Sequence, residues 1–167
     1  MRVRAHSKPH LVEEGEKPAE SKAGAVHLFV RILDWITQDR VQLINITDRI
    51  NDIVRKSGIR DGVVHLQSLH TTTALFLNEW QDALLHDVRT ILDQIVGPNF
   101  AWRHNDPAYS DCERHNAASH LKGLLLGQTL SLQVRNSTVL LGTWQSIILA
   151  ELDGPRSRTL SVQVVGI

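Results

Sequence analysis

The segment Gly62-Val-Val-His-Leu-Gln-Ser-Leu-His70, followed by Thr72-Thr-Ala-Leu-Phe-Leu77, decides how the chain folds. From Val64 onward, every second residue of the first segment lies on one face, which is the periodicity of a half-buried β-strand. The second segment is a short apolar run of strand length. We therefore expect two consecutive strands, with the ring of His70 facing inward where the first strand ends.

Strand and helix patterns continue on both sides of this segment. Apolar residues at helical spacing predict helices over about 49–56, 81–96 and 117–126. The middle helix is expected to bury a stripe of Leu84, Val88, Ile91, Leu92 and Ile95. Thr47 and Asp48 are expected to cap the first helix, and Gly58 to end it. Further strands are expected at 30–36, 41–46, 130–134, 138–141, 147–152 and 159–165. Strands, three helices and a closing antiparallel run predict an α+β fold.

Composition narrows the class of function. The 167 residues include 18 Lys plus Arg and 18 Asp plus Glu, so the formal net charge is zero and nucleic-acid binding is not expected. The single cysteine is typical of a reducing compartment, and no apolar run is long enough to cross a membrane, so we expect a cytoplasmic protein. Residues 1–25 are polar and are expected to form a tail, while residues 26–167 form one domain.

Four of the nine histidines are candidates for chemistry. His70 ends a strand, His104 and His115 bracket a long polar and aromatic loop, and His120 lies on the third predicted helix. Imidazole is a common metal ligand and proton carrier, so two or three of these rings can share one metal or acid–base site. Cys112 has no clear base beside it and is not expected to act as a nucleophile.

Five short stretches together resemble the YjbQ-like family of uncharacterised proteins. They are His70-Thr-Thr-Thr-Ala-Leu-Phe-Leu-Asn-Glu79, His104-Asn105-Asp106, Asn116-Ala-Ala-Ser-His-Leu-Lys-Gly-Leu-Leu-Leu-Gly127, Leu141-Gly-Thr-Trp-Gln-Ser-Ile147 and Glu151-Leu-Asp-Gly-Pro-Arg156. The resemblance implies a sandwich of mostly antiparallel sheet that assembles as a homotrimer, with sites near the subunit interface. It also implies a weak thiamine-phosphate synthase activity. The chain has no Gly-rich phosphate loop and no Asp-rich metal motif to support that reaction independently.

The resemblance also implies roles for individual residues. The family histidines correspond to His70, His104 and His120. If these three bind a divalent ion, zinc by preference or magnesium, three protein ligands leave one coordination position open for water or substrate. His115 departs from the family pattern. Glu79, with His70, is the candidate for catalysis, as a general base or a support for a histidine; its alternative role is a carboxylate at a helix N-terminus. The candidate substrate-binding residues are Asn78, Arg103, Asn116, Lys122, Trp144 and Gln145.

Several alternatives remain open at this point. Amides near 116–118 at the start of the third helix can bind an anion, whereas Lys122 can equally be a solvated charge. Trp144 can stack on a ligand or fill a core. The function is either a metal-dependent enzyme, a transferase or hydrolase acting on a small phosphorylated or heterocyclic metabolite, or a non-catalytic trimer that binds a metabolite or metal.

Overall fold

The computed structural model describes residues 24–97 and 99–167, and these form two antiparallel sheets and three α-helices. The predicted tail lies outside the described residues up to residue 23. The strands are β1 His27–Ile36, β2 Gln42–Asn45, β3 Gly62–Ser68, β4 Thr73–Asn78, β5 Thr129–Arg135, β6 Thr138–Val139, β7 Ser146–Glu151 and β8 Ser157–Gly166. The helices are α1 Thr47–Ser57, α2 Asp82–Ile95 and α3 Ala117–Leu126. The predicted α+β class is confirmed.

The core lies between the inner faces of the two sheets. The first sheet has the strand order β1-β8-β3-β5-β6 and the second has β2-β7-β4. Val64 and Leu66 of β3 are fully buried, as their alternation predicts, and they belong to one apolar cluster with Ile147 and Leu149 of β7. Helix α1 adds Ile50, with Ile53 and Val54, to the same cluster.

Helix α2 differs from the prediction in its packing. Its buried residues are Leu85 and Leu92, seven positions apart on one line along the helix. Of the expected stripe, Ile91 and Ile95 are about half exposed. Helix α2 contacts its own chain only through a narrow strip. The prediction that Ile91 and Ile95 are buried is therefore wrong. None of the helices among the described residues has the length and apolar character needed to cross a membrane.

The start of α1 also differs from the prediction. The helix begins at Thr47, but Thr47 does not cap it, because its hydroxyl accepts a hydrogen bond from the Ile147 amide (2.9 Å), and the Thr47 amide donates to Asn45 Oδ1 (3.1 Å). The predicted end at Gly58 is confirmed, since Gly58 adopts the left-handed conformation at φ 73°. The Thr47 hydroxyl thus joins the helix to β7 of the second sheet.

Strand β4 separates two groups of predicted site residues. It pairs with β7 so that Thr73 lies opposite Glu151 at one end and Asn78 lies opposite Ser146 at the other. At about 3.4 Å per residue, these two ends are about 17 Å apart. His70 and Thr72 precede the first end, and Glu79 follows the second. Residues expected in one site therefore lie at opposite ends of the second sheet within one chain.

Candidate functional site

The rings of His104 and His120 lie side by side, with centroids 5.0 Å apart and planes at 89°. We call them the imidazole pair. His104 comes from a short 3-10 turn over Arg103–Asn105, and His120 comes from the first turns of α3. They line a cavity of about 420 Å³, together with Trp102, Arg103, Ala117 and Leu121. The structure thus unites two of the three predicted histidine ligands in one concave site with one predicted substrate-binding residue, Arg103.

The environment of His120 favours the neutral form of its imidazole ring. Burial lowers the pKa of the His120 imidazole, and the neighbouring His104 lowers it further, while Asp153 acts in the opposite direction. A neutral ring offers a nitrogen lone pair, which can accept a proton or bind a metal. His104 is exposed, and its Nδ1 atom lies 3.4 Å from the Ser110 hydroxyl.

A network of buried charged side chains lies behind the pair, centred on Glu151 and Asp153, which are 0% and 1% exposed. Arg158 donates two hydrogen bonds to the Glu151 carboxylate, at 2.5 and 2.6 Å. The hydroxyl of Thr37, the residue after β1, also donates to the Glu151 carboxylate (2.9 Å). The Asp153 amide donates to Glu151 (2.8 Å), and this bond links the two carboxylates. We call these four residues, together with Asn116 and Arg114 described next, the carboxylate network.

The network reaches α3 through Asp153. The Asp153 carboxylate accepts from Asn116 Nδ2 and from Arg114 Nε, both at 2.9 Å. Asn116 is the residue immediately before α3. The hydroxyl of Ser119 also donates to the Leu152 carbonyl (2.5 Å). The first turn of α3, which carries His120, is therefore tied to the segment that follows β7.

Both carboxylates of the network stay ionised. Burial alone would raise the pKa of Glu151, but hydrogen bonds from Arg158, from the Asp153 amide and from Thr37 more than offset it and lower that pKa. Burial likewise opposes ionisation of Asp153, whose pKa is lowered by its hydrogen bonds from Arg114 and Asn116 and by the charge of Arg114. All buried side-chain nitrogen and oxygen atoms in the described ranges have a hydrogen-bond partner.

His70, the third predicted ligand, has a different environment. Its Nε2 atom accepts a hydrogen bond from the Thr159 amide at 2.8 Å, which joins the end of β3 to β8. Burial and the charge of Arg158 lower the pKa of the ring, and both effects favour the neutral form that this bond requires. Its Nε2 lone pair is therefore used within the fold, and His70 is not part of the imidazole pair.

A three-histidine metal site within one chain is not supported. In the ranges 24–97 and 99–167, no group of three or more His, Cys, Asp or Glu side chains is arranged to hold a metal ion. The imidazole pair supplies two nitrogen donors, which suit zinc better than magnesium. Any bound zinc would need further ligands from the substrate or from another chain. The three predicted histidine ligands are therefore not brought together within the described residues of one chain, and metal binding stays a prediction.

Two predicted substrate-binding residues are engaged elsewhere. The Asn116 side chain donates to Asp153 and its Oδ1 atom accepts from Cys112 Sγ. Lys122 is buried and forms an ion pair with Asp93 of α2. The expected anion site at the start of α3 is also wrong at Ala117, because the Ala117 amide donates to Asn105 Oδ1 (2.9 Å).

The remaining predicted residues lie at the far end of β4. Asn78 and Glu79 are half-buried, and Asn78 Oδ1 accepts from the Glu79 amide (2.9 Å). Glu79 lies outside α2, whose first turn begins at Asp82, so it is not a carboxylate of the helix N-terminus. Trp144 is 72% exposed and does not fill a core of its own chain. The Gln145 side chain accepts from the Gly142 amide (2.8 Å) and stabilises the turn before β7.

His115 and Cys112 line a second cavity of about 300 Å³, in the loop before α3. The backbone of His115 has φ 51°, and its side chain is exposed. His115 therefore lies outside the imidazole pair.

Sequence reasoning missed the carboxylate network and Asn105. The segment Glu151-Leu-Asp-Gly-Pro-Arg-Ser-Arg158 places four charged residues at the junction of β7 and β8, two strands that are otherwise rich in buried apolar residues. Charged side chains are rarely buried without partners, so this spacing was an available signal for an internal ion-pair network.

The fold and the cavity define a small α+β protein with paired histidines at the start of a helix. A family model described as UPF0047 protein YjbQ-like matches residues 31–167. A UPF0047 protein of Methanothermobacter thermautotrophicus is 39% identical over 141 residues, which cover 84% of this chain and 94% of that protein. The UPF0047 protein YugU of Bacillus subtilis is 31% identical and is covered completely.

Solved structures agree with this assignment. A YbjQ-like protein of unknown function from Sulfolobus solfataricus superposes with a TM-score of 0.79 at 33% identity, covering 86% of this chain and 100% of that one. An uncharacterised protein of the same family from Clostridium acetobutylicum gives a TM-score of 0.72 at 27% identity, covering 80% and 98%. The chain belongs to the YjbQ-like UPF0047 family, whose function is unknown.

The first prediction concerns the buried ion pair. Replacing Arg158 by Met leaves the Glu151 carboxylate without its main partner, and we expect the free energy of unfolding to fall by about 3–5 kcal/mol. The control is Arg55→Met, which removes an exposed ion pair with Asp52 and should cost less than about 0.5 kcal/mol. Urea unfolding measures both values. Equal losses in the two variants would contradict the proposed importance of the buried pair.

The second prediction concerns pH. Because the folded-state pKa of His70 lies below its ordinary value of 6.5, its contribution to stability is complete above pH 6.5 and decreases as pH falls below it. The charged groups that act on this ring are Arg158, Glu151, Arg156 and Asp34. In a His70→Gln variant, we expect the stability difference from the native protein to narrow between pH 7 and pH 5. A constant difference in urea unfolding across this range would exclude the effect.

Proposed function

We propose that the protein binds a small phosphorylated or heterocyclic metabolite in the cavity of the imidazole pair. The observation that carries this proposal is the close approach of His104 and His120 at the wall of a cavity large enough for such a ligand. Trp102 offers an aromatic surface for a heterocycle, and Arg103 offers a cation for a phosphate. The guanidinium of Arg103 lies 5.1 Å from the ring centre of Tyr109.

We infer that His120 is the proton acceptor of a reaction on this ligand, as part of a transferase or hydrolase. Its support is a half-buried ring beside the cavity in an environment that favours the neutral form. A zinc ion bound by both imidazoles would supply a Lewis acid at the same place. Weak thiamine-phosphate synthase activity is one specific form of the proposal and is tested by adding its pyrimidine and thiazole phosphate substrates.

A non-catalytic binding protein is the second candidate. It is favoured by the position of Glu79, the candidate general base. Within one chain, Glu79 lies at the opposite end of β4 from the imidazole pair and cannot act in the same site. Product formation in the presence of ligand distinguishes the two functions, because a binding protein returns the ligand unchanged.

The third prediction tests the ligand site. We expect isothermal titration with a panel of phosphorylated metabolites, heterocycles, the two thiamine-phosphate precursors and zinc chloride to identify a ligand. His104→Ala and His120→Ala should each weaken its binding at least tenfold, because each removes one of two neighbouring donors.

The control is His86→Ala. His86 is an exposed histidine on α2 and is not among the residues that line the cavity. This variant should retain the native affinity. Equal losses in all three variants, or a panel without any ligand, would contradict the proposed site.

We also propose that the chain assembles as a homotrimer through the outer face of the first sheet. On β1, Leu28, Val30 and Ile32 point outward and are 50–61% exposed. Leu28 pairs with Val165 and Val165 pairs with Val63 across three strands, and these residues are also partly exposed. A continuous apolar row of this kind on a sheet face is typical of a protein interface.

The fourth prediction tests this assembly. Light scattering after size exclusion should give three times the mass of one chain. Val165→Glu should shift the protein toward the monomer, because it places a charge in the middle of the row, between Leu28 and Val63. Val26→Glu, which lies before β1 and outside the row, is the control and should have a smaller effect. A native protein that runs as a monomer would exclude the proposal.

A further inference from the structure

We infer that Asn105 is the positioning residue that holds His104 against His120. The functional importance of this contact rests on the proposed role of the imidazole pair. Asn105 Oδ1 accepts a hydrogen bond from the Ala117 amide at 2.9 Å. Asn105 directly follows His104, and Ala117 precedes His120 by three residues, less than one helical turn. One hydrogen bond thus joins the two histidine-bearing segments next to both rings.

The need for this bond follows from the way α3 begins. The first amides of a helix have no partner within the helix, and the residue before it usually supplies one through its side chain. Asn116 occupies that position but makes no such bond, because its Nδ2 atom donates to Asp153 and its Oδ1 atom accepts from Cys112. The cap is supplied instead by Asn105, twelve residues away in the sequence.

Two other side-chain hydrogen bonds restrain the 3-10 turn, but neither of them joins it to α3 beside the imidazole pair. Trp102 Nε1 donates to the Gly97 carbonyl at 3.0 Å, which ties the residue before the turn to the segment that follows α2. Ser110 lies 3.4 Å from His104 Nδ1, a long contact that orients the ring without joining the turn to α3. The Asn105–Ala117 hydrogen bond is the contact that fixes the distance between the rings.

The geometry also predicts which substitution preserves the pair. Aspartate keeps an acceptor oxygen at the same position and is favourable near a helix N-terminus, so Asn105→Asp should retain the bond. Alanine has no acceptor, so Asn105→Ala should release the turn. Asn51 is a matched control, because its Oδ1 atom also accepts a backbone amide, that of Val139 at 2.9 Å, but far from the cavity.

The test is a nuclear Overhauser effect between the ring protons of His104 and His120, recorded on the full-length protein with isotope-labelled histidine. We expect this signal in the native protein, in Asn105→Asp and in Asn51→Ala, and a loss of at least fivefold in Asn105→Ala. Thermal unfolding of the same variants reports any general destabilisation, which Asn51→Ala should share without losing the ring signal.

A ring signal that persists in Asn105→Ala would overturn the inference, whatever the change in melting temperature. Loss of the signal in both alanine variants would also overturn it, because the effect would then follow from general destabilisation. The signal needs no ligand, so the outcome is separate from that of the titration that tests the proposed function. If a ligand is found, Asn105→Ala should weaken its binding and Asn105→Asp should restore it.

Discussion

The buried ion pair between Glu151 and Arg158 is the interaction on which the rest of the structure depends. Both side chains are almost completely buried, and an isolated charge at either position would be costly. The pair joins the end of β7 in the second sheet to the start of β8 in the first. Thr37, which follows β1, and Thr72, which precedes β4, bond to the same two side chains. Four chain segments thus meet at one polar point between the sheets.

The carboxylate network also determines where the imidazole pair lies. From Glu151 the hydrogen bonds pass through the Asp153 amide to the Asp153 carboxylate, and from there to Asn116. Asn116 is therefore used to attach α3 to the sheets, and its usual capping function falls to another residue. Asn105 takes over that function and brings His104 with it. The position of the two rings is in this way a consequence of the ion-pair network, although the network does not line the cavity.

Much of the fold follows from local patterns in the sequence. The alternation around Val64 predicts which face of β3 is buried, and Gly58 predicts the end of α1. Helix α3 begins and ends where its apolar run predicts. Helix α2 shows the limit of this approach, since its periodicity predicts an apolar stripe but not how much of that stripe its own chain covers.

The candidate site was less predictable, because it depends on contacts between distant residues. Sequence motifs placed His70 in one group with His104 and His120, but the local pattern does not show that the His70 ring accepts the Thr159 amide. Glu79 follows the same strand whose other end lies near His70, and only the length of β4 separates them. The charged residues after β7 were visible in the sequence, whereas their partners Thr37, Thr72 and Arg114 come from remote segments.

The most direct test of the central claim is a double-mutant cycle on ligand affinity with His104→Ala, His120→Ala and the combined variant. If the two rings form one site, the losses will not be additive, and the double variant will bind only slightly more weakly than either single variant. Losses that add fully, or a loss in only one of the single variants, would contradict the account, because the two histidines would then act independently.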